Sequence, residues 1–398
     1  MNYNHEQEQN ENGLVFDIES LYDYLSKVKD PRKAKGKRYT LISLLILMLL
    51  AKLAGEDKPS GMAEWIEHRK ELWVQYEILA EPRTASHMTY RRILGKIICP
   101  EEFEKLEQAY HQHRLKNEQD MVISMDGKSM RGTIPYGEQR GVHLLAAYVP
   151  GQGLVLAQAE VDKKENEIVV APKIVSQLIL DGAIIVADAM HTQKAFSNQV
   201  VEAGADFVWT VKDNQSRTRW AIEKLFVHEV CNQQKGAPLS DDIQVSVKVN
   251  KQHGRIEQRT LLTSTQLNEY LEWPHASQVF RIERVVYHAH QLGKTRQIEY
   301  GLTSLSPERA NPDKLLALFR EYWKIESGLH YRRDVTLRED ETRFTNGKAA
   351  QNMAILNNLV IGLCLSSGRS NLASARRYFD ANPKAALDLL VSAKSQTL

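Results

Sequence analysis

Apolar positions along the chain recur at two different spacings, and the change from one to the other falls near residue 118. Before it they return every three or four residues, the period of a helix with one buried face. Residues 18–28 fit a short helix that ends before Pro31. An apolar run opens at Thr40, and residues 62–79 form an amphipathic stretch. Pro82 breaks that pattern, and Ser86 is placed to cap a helix over 87–98. A further helix fits 100–115, and 116–120 is a polar linker.

Beyond the linker the period becomes that of strands. Residues 121–125 predict a short strand; 142–149 and 154–161 predict two more, joined by the turn Pro150-Gly151-Gln152-Gly153. Asn166 is placed to cap a helix running to residue 180. Residues 183–187 are continuously apolar, as expected of a strand buried on both faces. A helix over 193–203 and a strand over 206–211 follow. This order predicts an α/β fold, a mixed sheet flanked by helices. From 216 to about 305 the chain is more polar and β-rich, with strands expected at 243–249, 259–263, 279–286 and 297–303. That segment has the character of an insertion. Helices resume over 312–332 and 348–365, and a last pair covers 372–378 and 383–391. The expected plan is a disordered polar tail over 1–13, an all-α domain over 14–118, an α/β domain over 119–370 and a helical tail over 371–398.

Composition narrows the class. A chain of 398 residues, 42% hydrophobic and 26% charged, has room for two domains with ordinary cores. The net charge is only +2, so a nucleic-acid surface must come from local clustering of the 52 Lys and Arg. One such cluster is Arg32, Lys33, Lys35, Lys37 and Arg38. Cys99, Cys231 and Cys364 lie far apart, which is neither a disulfide framework nor a zinc spacing, and suits a reducing cytoplasm. No secretory signal is expected at the N-terminus. The most apolar run, 41–51, is about half of the ~20 residues a membrane span needs, so a buried core helix is expected there.

Three carboxylates carry the candidate chemistry. Asp126 is expected to end the first strand, and Asp188 ends the apolar one. Functional groups gather at the carboxyl ends of strands in α/β sheets. If the two strands are parallel neighbours, the acids meet at one edge, where they repel unless a cation neutralises them. Hard divalent ions such as magnesium are held in this way, together with substrate phosphates. Against this stand two ordinary readings, an Asp-Gly turn and a helix-capping Asp. Glu326 borders the apolar stripe Leu315, Phe319, Tyr322, Ile325 and Leu329, where it is either a third ligand or the partner of Lys324 or Arg333.

Six ordered segments then point to a family. They are Met-Asp-Gly-Lys at 125–128, Asp-Ala-Met-His-Thr-Gln at 188–193, Val-Lys-Asp-Asn-Gln at 211–215 and His-Gly-Arg-Ile-Glu at 253–257. The last two are Tyr-Trp-Lys-Ile-Glu-Ser-Gly-Leu-His-Tyr-Arg-Arg-Asp-Val at 322–335 and Asn-Gly-Lys-Ala-Ala at 346–350. From about residue 17 to 390 the chain resembles transposases of bacterial insertion sequences, of the H-repeat-associated (Rhs element-associated) group of the DDE class. The chain departs from the usual family pattern at Asp213 and Tyr331. The resemblance implies an RNase H-like catalytic core with Asp126, Asp188 and Glu326 as acidic triad and metal ligands, and a helical associated domain before it. It implies a magnesium-dependent enzyme, with manganese as substitute, that acts on DNA at element ends and targets and self-associates there, away from membranes.

Phosphodiester chemistry sets the expected mechanism. Two metals activate the attacking oxygen and stabilise the leaving one in an in-line displacement. Water is the first nucleophile and the freed 3′-hydroxyl the second. Candidate DNA contacts are Lys128, Lys212, Asn214, Gln215, His253, Arg255, His330 and Arg333, besides the basic cluster at 32–38. Each has an ordinary alternative as a solvated or paired polar residue. The His-x-His pairs at 111–113 and 288–290 lack ligand partners at a metal spacing. Two rival functions remain open: a nuclease that cuts without joining, and a transposase-derived DNA-binding protein without activity.

Overall fold

A computed structural model describes residues 6–35, 37–115, 119–162, 164–252, 254–288, 293–344 and 346–393. Strands β1 (Gln7–Gln9) and β2 (Val15–Asp17) pair antiparallel. The expected disorder therefore does not extend to residues 7–9. The Asn10 side chain accepts hydrogen bonds from the backbone N–H groups of Asn12 and Leu14, which fixes the intervening turn. Helix α1 (Leu21–Ser26) is capped by Ser20, and α2 (Leu41–Leu53) by Thr40. The expected single helix over 62–79 is two, α3 (Pro59–Glu67) and α4 (Lys70–Gln75), broken at His68 and Arg69. Helix α5 (His87–Arg92) runs into a π turn, Ile93–Ile97; the Ser86 side chain does not cap it. Helix α6 (Pro100–Arg114) closes the helical segment.

Strand β3 (Val122–Ser129) is longer than expected, and the β4 (His143–Val149) and β5 (Leu154–Glu160) hairpin follows. Then come α7 (Glu167–Val175), β6 (Ile184–Ala187), α8 (Lys194–Glu202) and β7 (Asp206–Val211). Helix α7 stops short of residue 180, and Asn166 makes no side-chain cap. The β-rich segment opens on an unforeseen helix, α9 (Ser216–Gln234). It continues with β8 (Gln244–Gln252), β9 (Arg255–Ser264), the short α10 (Asn268–Leu271), β10 (Gln278–His288) and β11 (Lys294–Thr303). Helix α11 (Pro312–Ile325) ends earlier than expected, and α12 (Gly347–Ser366), α13 (Leu372–Ala381) and α14 (Pro383–Val391) complete the chain.

The chain forms two compact units. One holds residues 117–126 and 165–325; the other holds 1–116, 127–164 and 326–398. In the first, β3, β6 and β7 are parallel, with Met125 opposite Ala187 and Ala187 opposite Trp209. Strand β11 pairs antiparallel with β7, and β10, β9 and β8 follow in that order. The expected insertion is thus an extension of the sheet. Its strands supply Leu261, Phe280 and Ile282 to the same core as Ile184, Val186 and Val208, against Leu315 and Phe319 of α11. The Ser124 hydroxyl donates to the Glu321 carbonyl and helps to seat that helix on β3.

In the other unit the sheet order runs β5, β4 and the distal part of β3. Helix α12 is the core helix there. It is long and apolar enough to cross a membrane, but 89% of its most apolar window is buried within the protein. The fold is of the expected α/β class, with a mixed sheet and helices.

Candidate active site

Two parallel strands deliver two carboxylates to one edge. Asp126 follows Met125 and Asp188 follows Ala187, and those two residues are register partners. Asp126 does not end its strand, because β3 continues to Ser129. Asp188 leads into a tight 3-10 turn over Ala189–His191 rather than directly into a helix. Side chains from neighbouring loops pin that turn. Asn214 donates to the Ala189 carbonyl at 2.6 Å, and Gln215 to the Thr192 carbonyl at 3.0 Å. Their place just past β7 was foreseen, but in this structure their amides hold the loop behind Asp188.

The Tyr322 hydroxyl on α11 hydrogen-bonds to Asp126. Burial, then the negative charges of Asp126, Asp188 and Glu167, hold its pKa far above the usual phenol range. It is therefore a permanent donor among acids. Glu167, the first residue of α7, was not anticipated as part of this group. It lies 3.2 Å from Nε2 of the buried His191, in the turn after Asp188. The Lys212 ammonium lies 3.0 Å from Asp188 Oδ1. Burial raises the pKa of Glu299 above its usual range; Lys212 opposes that rise and the charge of Asp188 adds to it.

Glu326 is the first residue of a π turn, Glu326–His330, that directly follows α11. One helical turn separates it from Tyr322. The carboxylate is 67% exposed, and Nδ1 of the buried His330 lies 3.4 Å from it. The nearby acids are engaged elsewhere. Glu321 pairs with Lys324, Asp334 with Lys128 at 2.6 Å, and Glu339 with Arg333 at 2.9 Å. Asp340 accepts from the Arg131 N–H at 2.8 Å.

Several of the expected DNA contacts are ion-paired within the protein. Lys128 is buried against Asp334, so its charge is spent internally. Arg333 is fully buried, with Nε on Glu339 and Asn357 donating to the same carboxylate. Within the basic cluster, Arg32 grips Asp30 through two nitrogens at 2.8 and 2.9 Å, and Lys37 lies 3.0 Å from the same acid. These cations hold the Asp30 carboxyl well below its usual range. Lys33, Lys35 and Arg38 are exposed, as is Arg255. His253 and His290 lie outside the described residues.

The family model described as "Transposase DDE domain" matches residues 117–363, and one described as "DDE_Tnp_1-associated" matches 22–113. In Escherichia coli K12, "Putative protein YbfL" is 26% identical over 94% of this chain and 96% of its own length. "H repeat-associated putative transposase YhhI" of the same strain is 25% identical over the same shares. A Xanthobacter autotrophicus protein, "Uncharacterized protein in dhlA 3'region", is 30% identical over 65% of this chain and 86% of its own. A solved piggyBac transposase synaptic complex with hairpin DNA aligns over 94% of this chain and 77% of that chain, with TM-score 0.42 and 12% identity.

Proposed function

The chain belongs to the DDE transposase family, and from that premise we propose that it cuts DNA at insertion-sequence ends and joins the freed end to a target. The observation that carries this reading is the register of β3 and β6, which sets Asp126 and Asp188 side by side at one strand edge. Two carboxylates so placed need a cation. The donors proposed fit a hard divalent ion: Asp126, Asp188 and Glu326 are carboxylates, and oxygen is the ligand such an ion takes. Asp126, Asp188 and Glu326 would hold magnesium, or manganese in its place. Bound there, the metal would lower the pKa of an attacking water and stabilise the leaving oxygen.

The protein's own groups prepare that chemistry. Tyr322 donates to Asp126 and so helps to hold that carboxylate in place. Asn214 and Gln215 hold the turn that aims Asp188. Lys212 supplies positive charge next to Asp188, where a phosphate would approach. Element-end and target DNA are the partners in this reading, with self-association needed to hold two ends together. The helical segment at 14–118 would add DNA contacts through Lys33, Lys35 and Arg38.

The test uses the full chain and duplexes carrying the DNA that flanks its gene. Magnesium or manganese should support nicking at the element end and joining to a second duplex, while calcium should allow binding with little cutting. Full cleavage in excess EDTA would overturn the metal mechanism. Cleavage without joining from a pre-cut end would make the protein a nuclease.

A further inference from the structure

A second basic feature, unrelated to the carboxylates, lies in the unit that contains the N-terminal helices. Arg91, Arg92 and Lys96 line an open groove together with Met88, Phe344 and Asn346. All three cationic side chains are exposed, and they make no ion pair among the described residues. In this they differ from Arg32 and Lys37, whose charge is spent on Asp30.

The backbone explains why the three share a face. Here the chain widens into the π turn Ile93–Ile97, closed by the Ile98 N–H on the Ile93 carbonyl at 3.1 Å. Lys96, four residues after Arg92, lines the same groove as Arg91 and Arg92. The turn is fastened from below. The fully buried Asn352 of α12 donates to the Leu94 and Ile98 carbonyls at 2.7 and 3.2 Å, and Asn346 to the Gly95 carbonyl at 3.4 Å. The groove is thus held in shape before any ligand arrives, which lowers the ordering cost of binding.

We propose that this groove binds the sugar-phosphate backbone of duplex DNA, an inference that rests on the DNA-transaction reading above. Arginine forks match phosphate oxygens bidentately, and Lys96 adds a point charge. The exposed Met88 offers apolar surface for deoxyribose. Such contacts position the protein on DNA and carry no sequence information.

The experiment compares the full chain with the triple variant Arg91→Gln, Arg92→Gln, Lys96→Gln. Binding to a fluorescent mixed-sequence duplex is measured by anisotropy across a salt series. Each lost phosphate contact lowers the slope of log affinity against log salt by about 0.9, so a total fall of roughly 2–3 is expected. An unchanged slope with wild-type affinity overturns the groove while leaving the transposase reading intact. A wild-type chain that binds no duplex at any salt overturns both. A second measurement does not depend on the triple variant folding. In Met88→Cys, alkylation of the introduced thiol, mapped apart from Cys99 and Cys231 by mass spectrometry, should slow severalfold when duplex is bound. No protection, or protection by polyglutamate in place of duplex, overturns the proposal.

Discussion

Lys212 holds its ammonium 3.0 Å from Asp188 Oδ1, so an internal cation already sits on one of the two strand-edge carboxylates. The side chains are 58% and 41% exposed, and such a pair is worth only about 0–1 kcal/mol. A divalent ion can displace it. Lys212→Met should therefore tighten manganese binding, by no more than about fivefold, and Asp188→Asn should weaken it strongly. Calorimetric titration without DNA reads both. Weaker manganese binding in Lys212→Met would mean that the lysine supports the metal rather than competing with it.

Tyr322 bears on Asp126 as Lys212 does on Asp188, but as a neutral donor. Its hydroxyl hydrogen-bonds to Asp126 within reach of the charges of Asp188 and Glu167. A hydrogen bond to a charged group contributes roughly 1.5–3 kcal/mol. Tyr322→Phe should slow cleavage of element-end DNA about tenfold or more, with duplex affinity unchanged. A wild-type rate would reduce the tyrosine to a packing residue.

What was legible in the sequence follows from how local each signal is. The apolar run before Asp188 and the change of period at residue 118 are written in consecutive residues, and both strands start within a residue of where expected, although β3 runs on to Ser129. Helix α9 was hidden because its only buried residues, Ala221, Ile222, Phe226 and Glu229, make a sparse face in a polar segment. The π turns at Ile93 and Glu326 are shifts in hydrogen-bond register, which a pattern of side chains does not encode. The internal ion pairs of the candidate cations were hidden for another reason. Lys128 meets Asp334 from 206 residues away, so its charge looks free in one dimension. Arg333 and Glu339 are close in sequence, but their shared burial is set by α12 through Asn357.

Two carboxyls on α6, the half-buried Glu104 and the buried Glu107, set a pH dependence of stability. Burial pushes Glu104 up to about 8, against an ordinary value of 4.5, while Gln158 donates to it weakly at 3.5 Å. Glu107 is raised well above its usual range, first by burial and then by Glu104. The folded protein thus holds protons that the unfolded chain has released, and stability must fall as pH rises. The loss develops between about 4.5 and 8. Replacing both with Gln should flatten the decline in denaturant midpoint across that window. A variant with the wild-type slope would show that these acids do not set it.

The last prediction concerns Glu326 and its rivals. Glu321, Asp334, Glu339 and Asp340 are close enough in sequence to compete for the role of third carboxylate. Each is engaged: Glu321 with Lys324, Asp334 with Lys128, Glu339 with Arg333 and Asn357, Asp340 with the Arg131 backbone. Glu326 differs in facing outward, 67% exposed, from a π turn directly after the helix that carries Tyr322. π turns inside helices are frequent at functional sites. Glu326→Gln should lose cleavage by at least about a hundredfold, the scale of a lost transition-state contact, while folding and binding DNA normally. Glu321→Gln should cut at close to the wild-type rate. Asp334→Asn should fail differently. It removes the charge partner of the buried Lys128, which costs about 1–2 kcal/mol of stability, but cleavage per folded molecule should persist. Thermal unfolding run beside each cleavage assay separates the two kinds of loss. Wild-type cutting by Glu326→Gln, with a folded but inactive Asp334→Asn, would move the third carboxylate to Asp334 and make Lys128 its resting partner.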